Sequence, residues 1–225
     1  MIAGQTTRFA IPASGPGRVT RADLVAVRHR GTLVSIDSRV ANRLVGRAFA
    51  LGRLRGFGAG RWLSEPRLGH HRLDFGRRDA DGAFTHLVEL KSSNLAVGPT
   101  AMFPDAPTVR GTAHLGLLRA MARRGVHCGL LMMIQRDDVD EFAPNAALDP
   151  EFTRALERAA AAGVRLEART MVVEATGVRW GRQVPVRLPG VTALGFYSWP
   201  RFPGGPNSSL PLPPLRPCPS DLSNG

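Results

Sequence analysis

The chain has 225 residues, 43% of them hydrophobic and 21% charged, which suits one packed domain with a small accessory lobe and excludes a fibrous or low-complexity chain. Aromatic residues make up 6%, too few for a deep aromatic cage or a multi-base stacking platform. The formal net charge is +12, a field from which a polyanion gains, nucleic acid above all; a general bias toward arginine gives the same excess.

The segment 1–63 holds eleven arginines against two acidic residues, Asp23 and Asp37. No amphipathic anchor accompanies that charge, and no apolar run is long enough to span a bilayer, so no membrane association is expected. The start lacks an apolar block behind a basic flank, and a leader is not expected. Cys128 sits in an apolar run and Cys218 in a Pro-rich stretch, which implies no disulfide framework and reads as cytoplasmic.

Residues 1–17 read as an irregular arm, followed by strand candidates at Leu24 to Val27 and Gly31 to Ile36. Asp37 or Ser38 caps a helix in which Val40, Leu44, Val45, Ala48 and Leu51 recur at helical spacing. Arg39, Arg43 and Arg47 fall on another face of it and make a basic stripe for nucleic acid. The glycine run at 56–60 lacks the lysine and the strand–helix context of a phosphate loop and reads as a turn. Two strands follow, His71 to Phe75 and Phe84 to Leu90, joined through the Asp81-Gly82 turn. Ser92 to Pro107 reads as a long functional loop. Thr108 to Arg124 is a helix stopped by Gly125, and Val126 to Ile134 is a central buried strand. Asp137, Asp138, Asp140 and Glu141 read as a solvated loop without a calcium-loop pattern. Asp149-Pro150 opens a helix that ends at Gly163; a strand over Val164 to Val173 and a hairpin to Leu188 close the ordered part.

That order predicts an α/β (α+β) fold, a mixed sheet flanked by helices. The division is an arm or small lobe at 1–37, a main domain at 38–188 and a disordered Pro/Gly/Ser-rich tail at 189–225.

One constellation carries chemistry. Residues two apart on a strand share a face, so Glu89 and Lys91 point to one site while Val88 and Leu90 point to the core. A hairpin partner brings Asp74 beside Glu89. Two carboxylates there, with the Leu90 carbonyl, suit a hard divalent cation such as Mg2+ or Mn2+. Glu65 completes the acidic set. Lys91 is the sole lysine of the chain, and its ammonium can orient water or offset charge on a phosphoryl group. This is the chemistry of phosphodiester hydrolysis. The alternative is a pair of exposed acids at a sheet end, neutralised by Lys91 and Arg72. The six histidines and two cysteines show no zinc spacing, and no serine or cysteine nucleophile motif is present.

The segments GTLVSIDSRVANRLV at 31–45, HHRLDF at 70–75, VELKS at 88–92 and FPDAPTVRGTAHLGLL at 103–118 resemble the sugar fermentation stimulation protein A family. FAPNAALDPEF at 142–152 and AAAGVRLEA at 160–168 extend the resemblance. It implies an N-terminal OB-like lobe that binds DNA, and a restriction-endonuclease-like domain whose acid–acid–x–Lys site falls on Asp74, Glu89 and Lys91. Glu65 matches an upstream acidic position, and Asp105, Arg110 and His114 match polar positions of the long loop and following helix. Arg110 and His114 share a helix face, which suits phosphate contact or the rim of the metal site; a partly buried helix histidine is the alternative for His114. The resemblance further implies regulation of sugar-utilisation genes, with double-stranded DNA, bound with weak sequence preference, as partner. It leaves open a homodimer, active cleavage, and a truncated paralogue without DNA function. The chain departs from the family in its short N-terminal lobe, in His71 where a small residue is usual, and in its Pro-rich tail.

Overall fold

A computed structural model describes residues 23–54, 57, 60–174 and 176–189 in full, together with the backbone strands Thr7–Ala10, Leu210–Pro211 and Arg216–Pro217. The irregular arm before Thr7, much of the glycine-rich run and most of the Pro-rich tail lie outside the described residues.

The N-terminal part is antiparallel: β1 (Thr7–Ala10) pairs with β2 (Asp23–His29), which pairs with β3 (Thr32–Ser35). The β2–β3 hairpin turns on Arg30 and Gly31, both at positive φ, the geometry that matches the twist of the flanking strands. Helix α1 (Ser38–Ala50) follows, with Asp37 as its N-cap accepting from the Arg39 amide. Then come β4 (Leu63–Ser64), β5 (Arg67–Leu68), β6 (His71–Arg72), β7 (Phe75–Arg78) and β8 (Phe84–Ser93). After them lie β9 (Ala96–Val97), β10 (Thr100–Phe103), α2 (Val109–Ala122), β11 (His127–Ile134), β12 (Glu141–Pro144), α3 (Pro150–Ala161), β13 (Arg165–Glu174) and β14 (Gly177–Val184).

The main sheet runs β14-β13-β11-β8-β7-β4, with Leu210–Pro211 added outside β14. Its centre, β8-β11-β13, is parallel, and β7 and β14 are antiparallel to their neighbours. β11 is buried over seven of its eight residues, which is why it reads as a continuous apolar run. The two faces of the sheet carry different cores. On one, Val88, Leu90, Leu131, Met133 and Met171 pack against Val40, Leu44, Val45 and Phe49 of α1. On the other, Leu87, Cys128, Leu130 and Leu166 pack against Leu115 and Leu118 of α2 and Phe152 and Leu156 of α3. This is a mixed α+β fold, a multi-stranded sheet flanked by helices with a small N-terminal β-hairpin.

Asp149 is the N-cap of α3, accepting from the Phe152 amide at 2.9 Å through one carboxylate oxygen. Its other oxygen accepts from the amide of Thr108 at 2.8 Å, and Thr108 is itself the N-cap of α2. One buried carboxylate thus holds the starts of both helices.

Three expectations need correction. The first strand of the hairpin is Phe75–Arg78 and not His71 to Phe75, because His71 and Arg72 pair backward with Arg67 and Leu68 in a separate small hairpin. The stretch Ser92 to Pro107 is no bare loop: β9 and β10 form a small sheet with β12, in which β10 runs parallel to residues some forty positions later in the chain (Thr100↔Glu141). For the same reason Glu141 belongs to a strand, and Val139 beside it is fully buried, while Arg136 grips Asp138 through two hydrogen bonds. No helix among the described residues is long and apolar enough to cross a membrane.

Candidate metal and phosphate site

The site follows from strand register. The β7–β8 ladder pairs Phe75 with Val88 and Gly76 with Leu87. Continued by one position, it sets Asp74 opposite Glu89, on the same side of the sheet. A hydrogen bond from the Leu90 amide to Asp74 Oδ2, at 2.8 Å, fixes the carboxylate there. Alternation then sends Val88 and Leu90 into the α1 core, and Glu89 and Lys91 to the opposite face, beneath α2.

Glu89 is buried, its side chain 3% exposed, and both of its donors meet a single oxygen. Lys91 Nζ donates to Oε1 at 2.5 Å, and His114 Nδ1, from α2, donates to the same atom at 2.6 Å. Oε2 is buried with no hydrogen-bond partner. Leaving a buried carboxylate oxygen without a donor is costly. Burial opposes ionisation of Glu89, but the hydrogen bonds and charges of His114 and Lys91 outweigh it and hold the carboxyl below its ordinary range. Asp74 lies within hydrogen-bonding reach of Glu89 and behaves in the opposite way. Burial first, and then the charge of Glu89, push its pKa from 3.8 to about 6. Lys91 stays 18% exposed, so solvent reaches the site along its side chain.

His114 is buried at 3% exposure and is satisfied by Glu89 Oε1, so it is a buried helix histidine whose partner is one of the two acids. Glu65 falls beside Asp74 through its backbone, the Glu65 amide donating to the Asp74 carbonyl at 2.8 Å. Its side chain instead extends into solvent, 62% exposed, and pairs with Arg72 at 3.4 Å. Asp105 and Arg110 are exposed at the approach to α2. Among the described residues, no three His, Cys, Asp or Glu side chains cluster as a metal site.

The basic stripe of α1 is not brought to this site. α1 packs on the other face of the sheet. Arg39 is bound to Asp37 at 2.8 Å and Asp23 at 3.2 Å, and Arg43 lies 3.8 Å from Asp37, so two of the three arginines neutralise acids within the chain. The basic residues beside His114 come from elsewhere. Arg67, His70, His71, Arg72 and Arg110 line an open cleft of about 450 Å³, with His114 and Gly69 in its wall. Of these, Arg110 and His114 were expected from the sequence as phosphate or rim residues; Arg67 and His70 were not, because they belong to no long periodic element. The signal available was the short run of Arg and His around a single glycine.

The residues 39–177 match the model of the sugar fermentation stimulation protein RE domain. The sugar fermentation stimulation protein homolog of Chloroflexus aurantiacus is 43% identical over 171 residues, covering 76% of this chain and 65% of that protein. The homolog of Moorella thermoacetica is 41% identical over 182 residues, covering 80% and 78%. The chain thus spans about two thirds of the length of the Chloroflexus relatives it matches, 65% and 67%. Among solved structures, SfsA of Pyrococcus furiosus in complex with Ca2+ superposes with a TM-score of 0.73 at 29% identity, covering 83% of this chain and 80% of that one. The chain belongs to the sugar fermentation stimulation protein family.

Proposed function

We propose that this protein binds DNA and hydrolyses its phosphodiester bonds at Asp74, Glu89 and Lys91 with the aid of a divalent cation. The observation that carries the reading is the bare, buried Oε2 of Glu89 beside a second carboxylate that is hard to ionise. Both features describe a carboxylate pair that gains from a cation between its members. Asp74 and Glu89 would hold Mg2+ or Mn2+, with the Leu90 carbonyl and water completing the oxygen set that hard cations take. The Pyrococcus relative was solved in complex with Ca2+, a hard divalent cation, which supports looking for a cation at these acids. When bound, such a cation supplies Lewis-acid activation of a phosphodiester and of the attacking water.

The chain's own groups supply the rest. His114 donates to Glu89 Oε1 and fixes which oxygen faces the site. The Leu90 amide does the same for Asp74. Lys91 brings an ammonium into a half-buried position, where it offsets charge developing on phosphate and aligns a water. The regulatory role of the family's name is the second reading: DNA binding without turnover.

The test is incubation of the purified chain with plasmid and single-stranded DNA, with and without Mn2+, beside Lys91→Ala. Metal-dependent nicking that Lys91→Ala reduces by about a hundredfold or more supports hydrolysis. Saturable, salt-sensitive binding with no nicking in any metal refutes hydrolysis and leaves the regulatory reading.

A further inference from the structure

We propose that the β5–β6 hairpin and the first turn of α2 form a clamp for the DNA backbone, with Arg67, Arg72 and Arg110 as its phosphate contacts. The inference rests on the DNA-binding part of the reading above and adds the surface that does the holding.

Four observations carry it. First, the cleft joins the catalytic candidates directly. His114 lines it and also donates to Glu89. Second, β5 and β6 set Arg67 directly opposite Arg72. Two like charges facing each other across an antiparallel pair destabilise a hairpin, and this hairpin has two residues per strand with which to offset that. Glu65 reaches Arg72 at 3.4 Å from an exposed position, a weak contact that leaves the pair with excess positive charge. A phosphate between the two guanidiniums removes the repulsion and matches the planar donors of arginine. Third, the hairpin is anchored. Leu73 is buried and its amide donates to the Pro66 carbonyl at 3.2 Å, while the Glu65 amide donates to the Asp74 carbonyl. The clamp therefore grows straight out of the strand that presents Asp74, and its distance from the acids is set by backbone hydrogen bonds. Fourth, the facing wall is favourable to an anion. Arg110 stands exposed in the first turn of α2, a turn without acidic residues of its own, and its guanidinium supplies the positive charge of that wall; the amide at the helix start is already held by Asp149.

Gly69, at φ +59 and with open space around it, lets the hairpin turn, and the rings of His70 and His71 lie 4.0 Å apart, tilted by 41°, along the cleft. Two imidazoles and three guanidiniums thus line the cleft, a set of polar groups that suits a sugar–phosphate chain and not a lipid tail. The acids that face the bound chain are Glu65 at the hairpin and the Asp74–Glu89 pair at the inner end.

The test measures binding of a short fluorescein-labelled DNA duplex to the full chain by anisotropy, in EDTA, over a series of salt concentrations. Arg67→Ala and Arg110→Ala are exposed replacements. Each is expected to weaken binding roughly threefold to tenfold and to lower the slope of log affinity against log salt by about one. Arg124→Ala, exposed just past the far end of α2 from Arg110, is expected to leave both unchanged. Clamp variants that bind like the unmodified chain, or an Arg124→Ala loss as large as theirs, overturn the proposal. Manganese-dependent nicking, run in parallel, separates the two readings. Nicking with unaffected clamp variants leaves the hydrolase and removes the clamp; weakened clamp variants without nicking do the reverse. An unmodified chain with no salt-dependent binding removes both.

Discussion

Replacing Asp74 by Asn should make the cation-free protein more stable, not less. The amide oxygen of Asn still accepts from the Leu90 amide, a bond of 2.8 Å in the native chain, so the local geometry persists. What disappears is a charge the fold resists. The carboxyl of Asp74 ionises near 3.8 in the unfolded chain and at about 6 in the folded one. Between those values the folded state binds more protons, so stability falls as pH rises through the window, and the whole cost is carried above about pH 6. A displacement of that size corresponds to about 3 kcal/mol at neutral pH. Asp74 is half-buried, so water relieves part of it, and a gain of about 1–3 kcal/mol is the working figure. Urea denaturation of both proteins in EDTA at about pH 8 reads this directly, and the gain should shrink to about 0.5 kcal/mol or less by about pH 4. Added Mn2+ should then stabilise the native chain more than the variant, since a ligand of the folded state shifts the equilibrium by mass action. A variant that is no more stable than the native chain at pH 8, or one whose gain is undiminished at pH 4, refutes the reasoning.

Two further outcomes follow from the same coordinates. Phe152→Ala removes a fully buried ring packed edge-on to Phe103 at 5.1 Å, and should cost about 3–5 kcal/mol in the same urea assay. Burial, together with the nearby His127 and Arg77, lowers the pKa of His86 from 6.5 to about 4. Its neutral form is therefore the one the fold accepts: the contribution is intact above pH 6.5 and is lost as pH falls toward 4. His86→Gln should show a smaller loss of melting temperature between about pH 7 and pH 4.5 than the native chain, and an equal loss would contradict the assignment.

The parts of the fold legible in the sequence are those whose signal is local. Asp37 and Asp149 announce their helices because a capping side chain acts within its own turn. β11 announces itself because both of its faces are covered, which leaves no polar position in the alternation. The pairing of Glu89 with Lys91 was legible because alternation along one strand is a fixed geometric fact. What was not legible depended on distant partners. Thr100–Phe103 forms a strand because Glu141–Pro144 lies beside it, and no local pattern encodes that neighbour. His71 and Arg72 were assigned to the wrong hairpin because their alternation fits either partner and the choice is made by Gly69. The arginines of α1 have a helical period that correctly marks an exposed face, but periodicity does not say which side of a sheet the helix will occupy.

The carboxylate of Asp149 has a consequence beyond its own helix. Through one oxygen it caps α3, and through the other it holds the residue that caps α2, so its replacement loosens the seats of both helices at once. The two helices also share a core through Leu115, Leu118, Phe152 and Leu156. His114 is carried by the first of them, so the hydrogen bond that orients Glu89 depends on how firmly that helix is seated. The geometry of the acidic site is tied in this way to a contact between two helix starts, neither of which touches the acids.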